Sequence, residues 1–158
     1  MPMPNPSRPP RSTPGVTVSY RGATEDELRD GSRARRILAL ADQRRLFPRH
    51  GELELGEDVM ELGGWRRLTR EQVTGVELTF TAAYSRLMAA GARGNSPSFG
   101  AFGSLGKPLG LEAVGEARVY LLLGYAWWSG INQNREWYPR IVAWAGDPRA
   151  DESDRRRP

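Results

Sequence analysis

Three groups of residues have types and spacings that could do chemistry. The first is SFGAFGSLGKPLG, residues 98–110, where Gly100, Gly103 and Gly106 precede Lys107. A phosphate loop needs G-x-x-x-x-G-K-[ST], so that backbone N–H groups, a lysine and a hydroxyl converge on phosphate and magnesium. Here Ala101 stands five before Gly106, and Pro108 replaces the hydroxyl. The dinucleotide pattern G-x-G-x-x-G fails as well, because Ser98 holds its first position. The second group is His50 alone, the chain's one histidine, and a general base needs a nucleophile and an orienting acid beside it. The third is Glu52, Glu54, Glu57 and Asp58. Carboxylates can hold a hard cation, but no D-x-D-x-D-G loop is present, so these read as a solvated face. The chain is therefore expected to be no enzyme and to carry no metal or cofactor.

Two binding surfaces remain. Arg33, Arg35, Arg36, Arg44, Arg45 and Arg49 crowd one stretch, and Arg33, Arg36, Arg44, Arg45 and Arg49 are candidates for contact with an anionic membrane surface. Against that reading, arginine outnumbers lysine 22 to 1 along the whole chain, as a GC-rich coding bias would produce. Trp127 and Trp128 are adjacent, so on a strand they point to opposite sides, and one of them needs a cover. Exposed tryptophan is a frequent interface anchor. With Phe99 and Phe102 of the glycine-rich loop, this pair forms the candidate partner-binding set.

The elements that position these residues follow from periodicity. VTVSY, residues 16–20, alternates as a short strand. Thr24 and Glu27 have capping-box spacing and start a helical turn. Ala34, Ile37, Leu38 and Ala41 fall at i, i+3, i+4 and i+7, which predicts a helix over 33–46, ended by Pro48. From Gly51 the period changes to two. Leu53 and Leu55, Val59 to Leu62, Trp65 to Leu68, and Val76, Leu78 and Phe80 read as strands of an antiparallel meander. Residues 82–90 suggest a short helix, inside a Gly/Ser-rich insert at 81–107. Leu109 to Val114 and Arg118 to Tyr125 resume the strands, with a type II′ turn expected at Gly115-Glu116. Trp137, Ile141 and Trp144 then mark one apolar stripe on a closing helix, about 134–145. Pro139 near its start predicts a tight or kinked first turn.

Composition bounds the rest. The 158 residues suit one domain with tails, and 39% are hydrophobic. Cysteine is absent, which excludes disulfides and thiolate chemistry and suits a cytoplasmic setting. No signal peptide is read at the start, and the longest apolar run, Val119 to Trp128, falls short of the roughly 20 residues of a membrane span. Net charge is +4, unevenly spread: residues 1–50 carry +5 and residues 51–75 carry −3. The divisions expected are a disordered Pro-rich tail (1–15), a short strand plus Arg-rich helical segment (16–50), a sheet domain (51–146) and a disordered charged tail (147–158).

The segment WRRLTREQVTGVELTF, and KPLGLEAVGEARVYLLLGY followed by INQNREWYPRIVAWA, resemble the middle and the closing hairpin and helix of bacterial pleckstrin-homology-like (PH-like) domains. The resemblance spans residues 51–146. It implies an α+β, mainly β fold: a bent antiparallel sandwich or partly open barrel closed by a C-terminal α-helix, here preceded by an N-terminal helix. Trp137, Ile141 and Trp144 would plug the barrel against Leu53, Leu55, Val76, Leu78, Phe80 and Leu121. Eukaryotic relatives that bind phosphoinositides place basic residues at the first hairpin loop. Glu57 and Asp58, read as that loop here, argue against carrying the activity over. The expected function is a non-catalytic interaction or scaffold module that binds a protein partner or its own copy. The alternatives are attachment to anionic membranes through 33–49 and small-molecule binding under a lid at 95–107. Nucleic acid is not expected as a partner.

Overall fold

Alternating side chains build a sheet, and the sheet starts earlier than the alternation alone suggests. The computed structural model describes residues 15–30, 42–85, 89, 92–93, 96–97 and 105–146. Strand β1 runs Val16–Thr24 and leads into a short helix, α1, Glu25–Arg29. Strands β2 (Arg49–Leu55), β3 (Val59–Leu62), β4 (Arg66–Thr69) and β5 (Val73–Leu78) follow. A small ribbon, β6 (Ala92–Arg93) and β7 (Ser96–Pro97), precedes β8 (Leu109–Ala113) and β9 (Val119–Leu123). The chain then forms helix α2, Asn134–Ala145. Seven strands make one antiparallel sheet, ordered β4-β3-β2-β1-β9-β8-β5 and curled into a half-barrel.

Strand β1 lies at the centre of this order. It pairs with β2 from Val16↔Leu55 to Gly22↔Arg49 and with β9 from Tyr20↔Leu123 to Thr24↔Val119. The sheet therefore includes residues well ahead of the expected boundary at 51. Gly22 and Ala23, poor strand formers by propensity, are held in β1 by their neighbours. Gly22 also has a steric role. A Cβ there would sit 2.3 Å from the Trp65 ring, so only glycine leaves room for that indole. Trp65 stacks on Tyr20 at 6.2 Å, and Tyr20 Oη donates to Gly63 O at 2.9 Å, which closes the β3–β4 turn onto the sheet.

The concave face holds the main core. Tyr20, Leu53, Met60, Leu62, Leu68, Val76, Leu109, Leu111, Leu121 and Leu123 meet Trp137, Ile141 and Trp144 of α2. Burying each of the three helix side chains stabilises the fold by about 1.5–3 kcal/mol. Two polar anchors fix the helix at its ends. At the start, fully buried Asn134 accepts from Leu123 N and donates to Leu121 O and Lys107 O, each at 2.8 Å. Near the end, Trp144 Nε1 donates to Gly56 O at 2.9 Å and Glu57 O at 3.1 Å, tying α2 to the β2–β3 turn. Gly146, at φ 66°, supplies the left-handed C-cap.

A second core covers the convex face. Ala23, Leu28, Leu46, Phe47, Ala83, Tyr84, Ala89, Tyr120 and Leu122 form it, with Phe80 packed against it. Phe47 and Tyr84 meet edge to face at 5.0 Å. Strand β9 is thus buried on both sides, which explains its unbroken apolar run. Phe80, expected under the closing helix, belongs to this outer layer instead.

Other expectations are corrected. The described end of the predicted 33–46 helix, Gln43–Arg45, is a single 3₁₀ turn, and residues 31–41 lie outside the described residues. An N-terminal helix over 33–46 is not supported. Of the predicted helix at 82–90, residues 82–84 form a bend, with Thr81 N–H donating to Tyr84 O at 3.0 Å, while Ala89 is helical and its N–H donates to Ser85 O at 3.1 Å; residues 86–88 and 90 lie outside the described residues. The β8–β9 turn is not type II′. That type needs positive φ at its second residue, Val114, whereas the positive angle, 74°, is at Gly115 in the third position. Both terminal tails, 1–14 and 147–158, lie outside the described residues.

Candidate functional site

The surface chemistry of the chain concentrates after β9. Gly124 turns out of the strand at φ 54°, and its N–H donates to Ser19 O. A tight loop then closes on itself. Ala126 N donates to Ile131 O at 2.9 Å, Gly130 N to Ala126 O at 2.8 Å, and Ile131 N to Ser129 Oγ at 3.3 Å. Trp127 and Trp128 occupy its tip, exposed by 50% and 71%. The expectation that the pair lies on a strand and points to opposite sides is corrected. They sit on a turn rather than a strand, so alternation does not apply. The legible signal was Ser129-Gly130, a turn dipeptide directly after the tryptophans.

Part of the arginine group reaches the same place. The Arg44 guanidinium carbon lies 4.9 Å from the centre of the Trp127 ring, a cation–π distance. Asp42 orients it with paired bonds, Arg44 Nε to Oδ1 at 2.8 Å and Nη2 to Oδ2 at 3.1 Å. The Arg44 bonds, first among them that from its side chain, hold the Asp42 carboxyl below the usual carboxylate range. Arg21 of β1 is close by: burial, then the Arg44 charge, lowers its guanidinium from the ordinary value. Arg45 is exposed beside Arg44 and acts on Asp42. Arg49 instead pairs with Glu27 at 3.0 Å. The structure therefore brings Arg44 and Trp127 together, although the sequence presented them as separate candidates. Phe99, Phe102, Arg33, Arg35 and Arg36 lie outside the described residues.

The carboxylates form a second surface elsewhere. Glu54 and Glu61 face each other directly across β2 and β3, on the outer side of the hairpin. Like charges so placed repel. Arg67 on β4 approaches Glu61 at 3.4 Å. Glu54, Gly56, Val59 and Glu61 line a shallow cleft of about 170 Å³. Among the described residues, no three His, Asp or Glu side chains gather as a metal-ligand set. His50 is exposed on β2 opposite Arg21, with Nδ1 3.5 Å from Pro48 O.

A third polar group lies on the outer side of β8 and β9. Arg118 pairs with Glu77 and stands 3.6 Å from Glu112, so its charge is balanced across three strands' ends. The acidic 56–58 turn also changes its place in the fold. It joins the second and third strands, and the first strand-to-strand connection is residues 25–48, where the arginines lie. No described helix is long and apolar enough to cross a membrane. Compared with protein-family models, with curated proteins and with solved structures, the chain finds no match in any of the three.

Proposed function

We propose that this chain is a non-catalytic, PH-like interaction module whose docking face is the Trp127–Trp128 loop with Arg44. The observation that carries the reading is the loop itself: two exposed tryptophans on a turn fixed by its own hydrogen bonds, one of them under an oriented arginine. Tryptophan and arginine dominate binding hot spots, and a rigid loop loses little entropy when it docks. The PH-like assignment is supported by the strand order, with the first strand between the two halves of the curl, and by the tryptophan-bearing helix over the concave face. The absence of cysteine favours a reducing, cytoplasmic compartment. The test is quantitative capture with the full chain and with Trp127→Ala/Trp128→Ala, followed by titration of the captured protein. A rise in Kd of about thirtyfold or more is expected, since an anchor residue contributes about 2 kcal/mol or more. An unchanged Kd overturns the reading.

A second reading has its own support. The arginine-rich stretch is the first strand-to-strand connection, the place where phosphoinositide-binding PH domains concentrate basic residues. This removes the earlier objection based on Glu57 and Asp58. Arg44 and Arg49 are already engaged by Asp42 and Glu27, which weakens their pull on a membrane. Co-sedimentation with phosphatidylserine vesicles at low salt tests it, and no binding rules it out.

A further inference from the structure

We infer that the partner of the tryptophan loop is a second copy of this chain, which receives Trp128 on the acidic β2–β3 hairpin in a head-to-tail contact. This rests on the interaction reading above and specifies its occupant.

Three observations carry it. The first is charge. Arg44, bonded to Asp42, lies 4.9 Å from the Trp127 ring with Arg45 next to it in the chain, and Arg21 pairs with Leu122, two residues before the Gly124 turn. On the hairpin, Glu52, Glu54, Glu57, Asp58 and Glu61 are all exposed; among the described residues Arg67 approaches Glu61 and Arg70 bonds the Glu57 carbonyl. The second is chemistry. The hairpin cleft has Gly56 and Val59 as its apolar part, with Glu54 and Glu61 as acceptors. An indole offers a flat apolar ring and one N–H donor, so it suits this lining. The Glu54–Glu61 repulsion is relieved when a donor and nearby cations arrive.

The third is placement. The loop precedes the first residue of α2, and the hairpin turn is bonded to Trp144 near its end. The helix is about 18 Å long at 1.5 Å per residue, so one copy's loop does not reach its own hairpin. The contact joins unlike surfaces, and such interfaces continue into open chains or close into rings rather than stopping at a two-fold dimer. One loop in one shallow cleft makes a small interface, which places the affinity in the micromolar range or weaker.

The experiment is sedimentation of the full chain from about 10 µM to 1 mM, at low and high salt. The inference predicts mass that grows with concentration beyond a dimer and falls at high salt. Trp128→Ala and, separately, Glu54→Lys/Glu61→Lys each raise the apparent Kd at least tenfold, with circular dichroism unchanged. Mixing those two variants pairs the intact loop of one with the intact hairpin of the other, and mass recovers to a 1:1 dimer and no further. A chain that stays monomeric throughout overturns the inference, as does association that ignores the glutamate changes. If the chain stays monomeric while Trp127→Ala/Trp128→Ala still weakens a captured partner, the self-copy inference fails and the interaction reading stands. A monomer that binds acidic vesicles through Trp128 overturns both.

Discussion

Trp144 Nε1 lies 2.9 Å from Gly56 O, a hydrogen bond between residues 88 positions apart. It ties the last turn of the closing helix to the first turn of the acidic hairpin, so the plug is fastened as well as packed. Trp144→Phe keeps most of the ring and removes the donor. The expected loss is about 1–3 kcal/mol, from the Gly56 carbonyl that loses its indole donor and from a smaller ring, while the Glu57 carbonyl keeps Arg70 Nη2 at 2.8 Å. Trp144→Ala is expected to cost about 3–5 kcal/mol. Urea denaturation measures both, and a Phe variant as stable as the wild type would show the bond to be irrelevant.

Asn134 is fully buried and satisfies groups on β9 and on the loop before β8 at once. Asn134→Leu leaves the Leu123 N–H and the Leu121 and Lys107 carbonyls without that partner. The Lys107 carbonyl keeps Asn132 Nδ2 at 3.2 Å, and a buried group left unpaired costs about 1–3 kcal/mol, so the two β9 groups set an expected loss of about 2 kcal/mol or more. Asn134→Asp tests the donor half, because a carboxylate cannot donate to the two carbonyls. Thermal and chemical unfolding should rank both well below the wild type.

Gly22 and Trp65 are coupled through one volume. Gly22→Ala puts a Cβ into the indole and is expected to cost about 1–3 kcal/mol. In a Trp65→Leu background the same change should cost clearly less. A double-mutant cycle reads the difference, and simple additivity would contradict the packing described.

Two carboxylates make stability depend on acid. Burial alone would raise the Glu27 carboxyl, but the Thr24 N–H and the Arg49 side chain outweigh it and hold it below the ordinary value. Arg44 holds Asp42 low in the same sense. A carboxyl depressed in the folded state contributes stability that is present above its unfolded pKa and is lost as pH falls through its folded pKa. Stability should therefore decline below about pH 4.5, and Glu27→Gln should flatten part of that decline. Both groups are partly exposed, so the effect is modest and weakens in salt.

How much of this was legible follows from where the physics is local. The closing helix was readable to the residue, because Trp137, Ile141 and Trp144 have helical spacing and Gly146 ends the run. The Thr24–Glu27 capping box was equally local, and both of its bonds are made. The second core was not readable. Phe47, Tyr84 and Ala89 come from segments without a period, and only the sheet's convex face brings them together. The 33–46 stripe satisfied helical spacing, yet its described end folds as a 3₁₀ turn that delivers Leu46 and Phe47 to that face. The meeting of Arg44 with Trp127, 83 positions later, depends on the β1–β9 pairing and left no trace in either stretch.

The most direct test of the docking face is fluorine NMR of the full chain labelled with 5-fluorotryptophan, which reports each of its five tryptophans. Trp127→Phe and Trp128→Phe assign the two loop signals, and the sample is then concentrated from about 10 µM to 1 mM. The account predicts that the two loop signals respond to solvent and shift or broaden with concentration, while those of Trp137 and Trp144 stay fixed. Loop signals that are shielded from solvent and unmoved, with Trp137 or Trp144 responding instead, would contradict it.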